Sequence, residues 1–451
     1  MKITFYGGAM SVTGSNYLLE TKSGTRILVD CGLYQGARFA ERKNFSPFAY
    51  DPKTIDAVVI THAHVDHIGL LPKLYKDGFR GVIYSTPPTK EFAEFLLLDS
   101  EHLLKEEALR ERLEPLYSEA EIIRVMGMWQ GKKYHERFLV KNDLAIELFD
   151  AGHILGSAFI KIEADGRSVV FSGDLGNYPA PIIKATEALP QVDYCLIEST
   201  YGDRIHEDLP SRRELLEDAI EDTVRSGGTL LIPAFAMERT QQLLFELNEL
   251  VEKGRIPKVP IFIDSPLAIK LTEVYRRHRE YFNKDANDLI RGGDDILNFS
   301  GLTFTPTTEE SKKINLVPAP KVIIAGSGMS QGGRILHHER RYLSDPKSMI
   351  LFIGYQAEGS MGRRILEGAQ EVTISGERIH VRAKKRMISG YSAHADQPRL
   401  LEWIAGARLS LKKVFVVQGD ESSSATLSQK IGDELVVHTD IPREQETIEL
   451  V

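Results

Sequence analysis

The feature that most constrains the fold is a dense group of metal-binding side chains at the end of an apolar run. The segment Thr61–Gly69 reads THAHVDHIG and directly follows residues typical of a buried strand. His62, His64, Asp66 and His67 carry the imidazole and carboxylate groups that bind zinc and related ions. Such a density of ligands is unusual in an ordinary solvated loop. The pattern therefore predicts a metal site where a strand ends.

Further candidate ligands occur later in the chain in similar settings. His153 lies in Asp150–Ser157 and Asp174 in Phe171–Gly176, and each stands among glycines beside a predicted strand end. Taken alone, a histidine of this kind is more often a core or surface residue, and such an aspartate more often forms a turn. Together with the first cluster they become credible metal ligands.

The composition limits the class of protein without indicating its chemistry. The chain has 451 residues, of which 42% are hydrophobic and 27% charged, with a net charge of −8. This is typical of a globular protein of two or three domains, and no apolar run approaches the roughly 20 residues that cross a bilayer. The start of the chain predicts a first strand rather than a signal peptide, so the cytoplasm is the expected location. Cys31 and Cys195 are predicted to be buried and reduced.

Two patterns of secondary structure follow one another along the chain. In the first 200 residues or so, short apolar strands alternate with turns, Asp165-Gly166 predicts a tight hairpin, and a long helix is predicted over 89–112. From about residue 205, strands alternate with helices, as in a doubly wound α/β domain. Residues 283–315 are polar and poorly periodic, which predicts a loop-rich insertion.

The order of the candidate ligands resembles the first four motifs of the metallo-β-lactamase superfamily. The resemblance implies an αββα sandwich with two zinc ions along one edge. It implies that His62, His64 and His153 hold one ion and that Asp66 and His67 hold the other, with Asp174 between them. Asp30 is then expected to orient the ligand loop by hydrogen bonding.

The later segments resemble the nucleic-acid-processing β-CASP branch of that superfamily. Ile197–Gly202 is similar to its motif A and Ser389–Asp396 to its motif B. Segments of its inserted cap domain are matched by residues 233–239, 264–268, 326–329 and 354–363. The resemblance implies a metallo-β-lactamase domain over 1–204 and 386–451, with an α/β cap over 205–385 and the active site in the cleft between the two. It favours the RNA-cleaving members and is compatible with a homodimer.

The cap is expected to contact the phosphates of single-stranded RNA. The glycine-rich turn at 326–328 can present backbone N–H groups to a phosphate, although an ordinary strand-to-helix turn would have the same sequence. Basic residues cluster near this turn and before motif B, where tracking a phosphate backbone is a reasonable role. The residues predicted to bind RNA are Ser327, Gly328, Arg334, Arg363 and Lys384.

The resemblance also implies the roles of four catalytic residues. In a two-metal site the bound water becomes nucleophilic near neutral pH. Asp66 and Asp174 are expected to belong to that site, and Asp174 also to steer the water. His394 is the expected general acid for the leaving oxygen, and Glu198 is expected to orient it and keep it protonated. Without the resemblance, Glu198 would be interpreted as a residue at a strand end and His394 as a core histidine.

One position departs from the family pattern. RNA-cleaving members carry a late histidine that binds the second metal, and Gln418 stands in its place. An amide oxygen is neutral and a poorer zinc ligand than imidazole. The second site is therefore expected to be weak, or to take a harder ion such as Mn²⁺.

Three other functions compete with a ribonuclease. A DNA nuclease gains weight because related DNA-repair enzymes lack the same histidine, but Glu198 in motif A favours RNA. A pseudo-nuclease that binds RNA without cutting it is the non-enzymatic alternative. A small-molecule hydrolase ranks last, because it leaves the cap, Glu198 and His394 without a role.

Overall fold

A computed structural model describes residues 1–36, 41–206, 210–354, 356–357 and 359–451. Tyr355 and Glu358, which belong to one of the segments matched to the cap domain, lie outside the described residues. The chain forms two compact units. The first comprises Met1–Ala180, Lys184–Ile205 and Ala393–Val451, and the second comprises Pro181–Ile183 and His206–Ser392.

The first unit contains two seven-stranded sheets. The spatial order of the first sheet is Thr447–Glu449, Lys2–Gly7, Asn16–Glu20, Arg26–Val29, Ala57–Val59, Val82–Ser85 and Trp129–Gly131. The spatial order of the second is Thr439–Asp440, Lys413–Val417, Tyr194–Glu198, Arg167–Phe171, Ala158–Ala164, Leu144–Asp150 and Phe138–Val140. In both sheets the antiparallel strands lie at one side and parallel strands at the other.

Apolar side chains from both sheets form one shared core. Phe5 and Val29 of the first sheet belong to the same buried cluster as Ile146, Phe171 and Phe415 of the second. This packing follows from strands whose inward residues are aliphatic or aromatic. The two sheets therefore pack face to face.

Helices cover the outer face of the second sheet. Leu400, Trp403 and Leu427 pack there against Phe159 and Val170. Among the described residues, the α-helices of this unit include Val65–Ile68, Leu71–Lys76, Pro87–Glu111, Glu119–Gly127, Gln397–Ala405 and Glu421–Lys430, and Ile431–Leu435 forms a π-helix. Short 3₁₀ turns occur at Lys43–Phe45 and Pro52–Thr54. The predicted αββα architecture is confirmed, as is the alternating α/β character of the inserted domain.

The second unit is built on a six-stranded parallel sheet. Its spatial order is Leu302–Phe304, Ile261–Ile263, Lys321–Ala325, Thr229–Pro233, Met349–Ile353 and Lys384–Ile388. A separate hairpin joins Glu371–Ile374 to Glu377–His380. The helices are Pro210–Ser226, Arg239–Glu252, Pro266–Arg277, Lys284–Arg291, Thr308–Lys313, Ile335–Tyr342 and Met361–Leu366, with 3₁₀ turns at Arg279–Tyr281, Ile314–Leu316 and Ser389–Tyr391.

Several local predictions can be compared directly with this fold. The Asp165-Gly166 hairpin is confirmed, because both residues have positive φ between two paired antiparallel strands. Cys31 and Cys195 are buried and free, as predicted. The loop-rich prediction for 283–315 is wrong. Short helices form there because Asn283 and Thr307 cap them, Thr307 together with Glu310 in a capping box.

Among the described residues, no helix is both long enough and apolar enough to cross a bilayer.

Candidate metal centre

Parallel strands bring the candidate site residues to one sheet edge. Asp174 follows the strand Arg167–Phe171, and Glu198 ends the neighbouring strand Tyr194–Glu198. Gln418 follows the next strand along, which is also parallel. Carboxyl ends of adjacent parallel strands lie side by side, so three residues distant in sequence become neighbours. Asp30 and the His62 loop follow two adjacent parallel strands of the other sheet.

Four side chains converge on one point and form what we term the first ligand set. The Nδ1 atom of His64 lies 2.9 Å from His62 Nε2 and 3.2 Å from His153 Nε2. Asp174 Oδ2 lies 3.4 Å from His62 Nε2 and 3.5 Å from His153 Nε2. These four atoms all lie within 4.8 Å of one another. His62, His153 and Asp174 are buried.

Hydrogen bonds on the far side of the His62 and His153 rings direct their Nε2 lone pairs into the set. His153 Nδ1 lies 3.3 Å from the carbonyl oxygen of Ala393, to which it donates. His62 Nδ1 lies 3.1 Å from Thr61 Oγ1, whose own proton is donated to Asp30. A proton held on Nδ1 leaves Nε2 as an acceptor facing the other ligands. Partners of this kind are typical around metal-binding histidines.

The donor set fits a divalent cation such as zinc. Ligands at tetrahedral zinc, with Zn–N distances of about 2.0–2.1 Å, lie roughly 3.3 Å from one another. The N···N and N···O distances between 2.9 and 3.5 Å agree with that spacing. If all three imidazoles turn a lone pair inward, these atoms repel one another unless a cation lies between them. Three imidazoles and one carboxylate are therefore arranged as a site for a positive ion.

Electrostatics at this set also favour cation binding. Burial lowers the pKa values of His64 and His153 well below the ordinary value of an imidazole. The neighbouring His62 and His394 lower them further. Burial opposes ionisation of Asp174, but His67, His62 and His394 lower the pKa of its carboxyl well below the usual range. Neutral imidazoles around an ionised carboxylate are the protonation states that metal binding requires.

A second group of side chains, the second ligand set, surrounds the other oxygen of Asp174. Asp174 Oδ1 lies 3.4 Å from His67 Nε2, which lies 3.8 Å from Asp66 Oδ2. The Gln418 amide nitrogen lies 3.1 Å from both Asp174 Oδ1 and His67 Nε2. Burial opposes protonation of His67, yet Asp174, Asp30 and Asp66 together raise the pKa of its imidazole, so this position attracts positive charge.

Asp30 fixes the loop that carries four of these residues. Its Oδ1 accepts the Thr61 backbone N–H at 2.8 Å, and its Oδ2 accepts the Thr61 hydroxyl at 2.8 Å. His67 Nδ1 donates to Oδ2 at 2.7 Å, and the Ser15 hydroxyl donates to the same oxygen at 3.2 Å. Asp30 is fully buried and has φ +60°. It holds the loop and the His67 ring without facing the first ligand set.

Close approach between loops requires glycine at Gly32 and Gly176. A Cβ at Gly32 would stand 1.5 Å from the carbonyl oxygen of Asp66. A Cβ at Gly176 would stand 1.8 Å from the carbonyl oxygen of Gly152 and 2.9 Å from the backbone nitrogen of His153. These glycines let the ligand-bearing loops touch backbone to backbone.

Glu198 and His394 form a pair beside the first ligand set. Glu198 Oε2 lies 3.3 Å from His394 Nδ1, and the same nitrogen lies 3.8 Å from Asp174 Oδ2. Glu198 is fully buried, and its Oε1 accepts the Leu175 backbone N–H at 2.6 Å. His394 is partly exposed, so its ring can reach a bound molecule while the carboxylate behind it stays fixed.

The residues predicted to bind RNA lie in the second unit and have varied surroundings. The Ser327 hydroxyl oxygen accepts the backbone N–H groups of Gln331 and Gly332, and the Gly328 carbonyl accepts the Gln356 amide. The Arg334 guanidinium donates at 2.7 Å to Asp264 Oδ1 and at 2.7 Å to the Thr305 carbonyl. Arg363 pairs with Glu367 at 2.6 Å, and Lys384 is exposed at the start of an edge strand. Their RNA-binding role remains a prediction.

Sequence reasoning missed the residues that support the ligands. Thr61 and Ser15 hold Asp30, and the Ser172 hydroxyl accepts the Glu198 backbone N–H at 3.0 Å. Tyr201 packs its ring edge-on to His394 with centroids 5.8 Å apart. Serine and threonine are common beside strand ends, so their presence there does not indicate a supporting role. The position of Thr61 directly before His62 is the one sequence feature that points to such a role.

Three family descriptions match consecutive parts of the chain. Residues 12–233 match the metallo-beta-lactamase superfamily, and residues 240–365 match the Beta-Casp domain. Residues 378–442 match the Zn-dependent metallo-hydrolase RNA specificity domain. The two ligand sets and the Glu198–His394 pair lie within the first and third of these regions.

Several curated proteins are similar over nearly the whole chain. The ribonuclease TTHA0252 of Thermus thermophilus is 39% identical over 432 residues, which cover 95% of each chain. An RNase J-like protein of Methanocaldococcus jannaschii is 31% identical, covering 98% of this chain and 97% of its own. The transcription termination factor FttA of Methanosarcina mazei is 32% identical over all of this chain and 72% of its own.

A solved structure agrees with the fold. The crystal structure of a protein of unknown function from Enterococcus faecalis matches 100% of this chain and 99% of its own with a TM-score of 0.59 at 12% identity. The fold, the ordered ligands and the matches over the full length lead to one conclusion: this chain is a member of the β-CASP branch of the metallo-β-lactamase superfamily.

Proposed function

We propose that this protein is a metal-dependent ribonuclease that hydrolyses RNA phosphodiester bonds at the two ligand sets. It is a hydrolase, as its family membership implies. The observation that carries the proposal is the position of Asp174. Its Oδ2 is shared by the first ligand set and by His394, so a cation site and a proton donor stand side by side.

Zinc is the proposed ion of the first ligand set. His62, His64, His153 and Asp174 would hold it, and Asp66, His67 and Asp174 would hold a second ion, either zinc or Mn²⁺. Divalent ions bound in this way supply a nucleophile at neutral pH and stabilise charge on the phosphoryl oxygens. Asp174 would contribute to both sites, because its Oδ2 lies beside His62 and its Oδ1 beside His67.

Proton transfer to the leaving oxygen is assigned to His394. Glu198 Oε2 lies 3.3 Å from His394 Nδ1 and would orient the imidazole ring. The carboxylate cannot turn away, because its other oxygen holds the Leu175 N–H. A positioned acid of this kind contributes about 10²–10⁴-fold to rate.

RNA is the proposed substrate because the relatives and the third matched region point to it. One relative is named a ribonuclease and another RNase J-like, and residues 378–442 match an RNA specificity domain. We propose that the unit built on the six-stranded sheet acts as the cap, with Ser327, Gly328, Arg334, Arg363 and Lys384 as candidate phosphate contacts.

Four further points stay predictions. They are the cap boundaries of 205 and 385, endonucleolytic cleavage, a homodimer and a cytoplasmic location.

Cleavage of an end-labelled single-stranded RNA tests the proposal, with zinc or manganese added and a DNA strand of the same sequence alongside. The parent protein and His102→Ala should cut RNA, because His102 is exposed on a helix and pairs only with Glu106 among the contacts described. Asp174→Ala should not cut. RNA binding by the parent without cleavage would indicate a pseudo-nuclease, and cleavage of DNA alone would overturn the choice of substrate.

Replacing His394 separates its role from metal binding. His394→Ala should lower kcat by about 10²–10⁴-fold while zinc content stays unchanged, because the alanine leaves the first ligand set intact. A substrate whose leaving oxygen is replaced by sulfur needs no proton, so it should restore most of the lost rate. An equal defect on both substrates would contradict the assignment.

A further inference from the structure

Phe235 is an exposed aromatic side chain in the unit built on the six-stranded sheet. It is 42% exposed, and among the residues that the structure describes no other phenylalanine, tyrosine or tryptophan is exposed to that degree. Exposure by itself indicates no role, because single apolar residues are common on protein surfaces. The position of the ring and the contacts that hold it carry the argument.

The ring lies where open α/β sheets bind their ligands. Phe235 stands two residues after the strand Thr229–Pro233. That strand pairs in parallel with Lys321–Ala325 on one side and with Met349–Ile353 on the other. The chain leaves Thr229–Pro233 for Ile261–Ile263 on the first side, but later leaves Lys321–Ala325 for the second side. Carboxyl ends of parallel strands at such a change of direction form the crevice in which these sheets bind ligands.

A glycine and two hydrogen bonds fix the ring in place. A Cβ at Gly328 would stand 2.7 Å from Phe235 Cδ2, 2.9 Å from its Cε2 and 3.0 Å from its backbone nitrogen. One edge of the ring therefore rests on the Gly328 backbone. The Phe235 carbonyl accepts the Thr240 hydroxyl at 2.8 Å, and the Gly328 carbonyl accepts the buried Gln356 amide at 3.0 Å. The ring is thus a preformed surface whose remaining area faces solvent.

A flat apolar ring in a fixed position suits a flat partner. Every nucleobase has a π face, so stacking on an aromatic side chain tolerates any sequence. Single-stranded RNA exposes its bases beside its phosphates, whereas a duplex keeps them paired. Phe235 touches Gly328, which is already a candidate phosphate contact, so a base and a nearby phosphate of one strand can be bound together.

We infer that Phe235 stacks on an unpaired base of the RNA substrate and contributes to substrate binding, not to the cleavage step. The inference rests on the proposed function, because it names how that substrate is held. Binding through this ring distinguishes single strands from duplexes and differs little among the four bases.

Fluorescence anisotropy of a labelled single-stranded RNA tests the inference in the Asp174→Ala background, in which the strand stays intact. Phe235→Ala should weaken binding by about 5–150-fold, the range of a single base–aromatic stack. Phe235→Trp should keep the affinity, whereas Phe235→Leu should resemble Phe235→Ala, because leucine is apolar but has no π face. The matched control is Leu316→Ala, which removes an apolar side chain that is 83% exposed in the same unit and should change nothing.

A strand without bases separates stacking from a general disturbance of the surface. A fully abasic RNA of the same length keeps the phosphates but has nothing to stack. The parent ring and Phe235→Ala should bind this strand equally, because removing the base and removing the ring abolish the same contact. An undiminished difference on the abasic strand would overturn the inference, as would equal binding of the normal strand.

Cleavage kinetics distinguish this inference from the proposed function. With Asp174 restored, Phe235→Ala should raise KM for RNA and leave kcat nearly unchanged, as expected for a contact made equally before and during the reaction. Cleavage with an unchanged KM would refute the role of Phe235 alone. Binding that depends on Phe235 without any cleavage would refute the ribonuclease and retain the stacking contact. A parent that binds no RNA would refute both.

Discussion

At the scale of single residues, the site depends on carboxylates whose two oxygens have separate partners. Asp174 divides its oxygens between the two ligand sets, and Glu198 between His394 and a backbone N–H. Asp30 binds the Thr61 backbone N–H through Oδ1 and His67 through Oδ2. Contacts on both oxygens restrict the rotation of a carboxylate. The positions of the histidines therefore follow from buried acids that the strands deliver in fixed orientations.

A buried carboxyl outside this site predicts an unusual pH dependence of stability. Burial raises the pKa of Glu339 to about 8, against a weaker opposing effect of the Ser330 hydroxyl. A carboxyl whose pKa is higher in the folded state than in the unfolded state stabilises the fold while protonated. That contribution is complete below the unfolded pKa and is lost as pH rises towards about 8.

We therefore expect Glu339→Gln, which mimics the protonated form, to gain stability relative to the parent as pH rises from 5 to 9. The measurement is the difference in Tm between the two proteins across that range. Glu309→Gln, at an exposed glutamate in the same unit, is the control and should give a nearly constant difference. A constant difference for Glu339→Gln as well would show that its carboxyl is not buried and neutral.

At the scale of elements, loops that contact each other through glycine set the geometry of the ligands. The Gly176 N–H donates to the Ala151 carbonyl, and residue 176 also bridges to 394. The loops that carry His153, Asp174 and His394 thus meet at one glycine. A displacement at this position moves ligands that are far apart in sequence.

Gly176→Ala should therefore weaken zinc binding as well as the fold. The added Cβ must displace the backbone before His153, which costs about 1–3 kcal/mol of stability and an estimated 10-fold or more in zinc affinity. Competition with a chromogenic chelator and thermal unfolding measure the two effects. Gly127→Ala, where a Cβ would meet nothing within 4 Å, should change neither by much. Unchanged zinc affinity in Gly176→Ala would contradict the proposed coupling.

The elements also show which information the sequence contains. The ligand histidines of the first cluster could be predicted because they occur within a few residues of one another. The Asp165-Gly166 turn could be predicted because its backbone requirement is local. The helices within 283–315 were missed because they are short and polar and depend on the caps Asn283 and Thr307. The contacts of Gln418 with His67 and Asp174 join residues hundreds of positions apart, and only the sheet order brings them together.

At the scale of the whole molecule, the two ligand sets lie entirely in the unit that contains both chain ends. Residues 62–67, 153, 174, 198, 394 and 418 all belong to that unit. Binding a ligand stabilises the folded state that holds it by RT ln(1 + [L]/Kd), about 2.7 kcal/mol at one hundred times Kd. Metal should therefore act on one unit more than on the other.

Differential scanning calorimetry of the full chain measures this asymmetry. Zinc should raise the transition of the metal-binding unit by several degrees, and a chelator should reverse the rise. Asp174→Ala should show no zinc-dependent rise. A shift of equal size in Asp174→Ala would mean that zinc stabilises the protein through other groups.

The strand Lys413–Val417 lies beside Tyr194–Glu198 within its sheet, although it is translated more than 200 residues later. Its order of synthesis has a consequence for assembly of the site. A nascent chain that has emerged only as far as residue 390 already contains the first ligand set, but not His394, Gln418 or the strand that completes the sheet. His394 and the strand Lys413–Val417 are thus made near the end of synthesis, so the Glu198–His394 pair and the completed sheet form only late in translation.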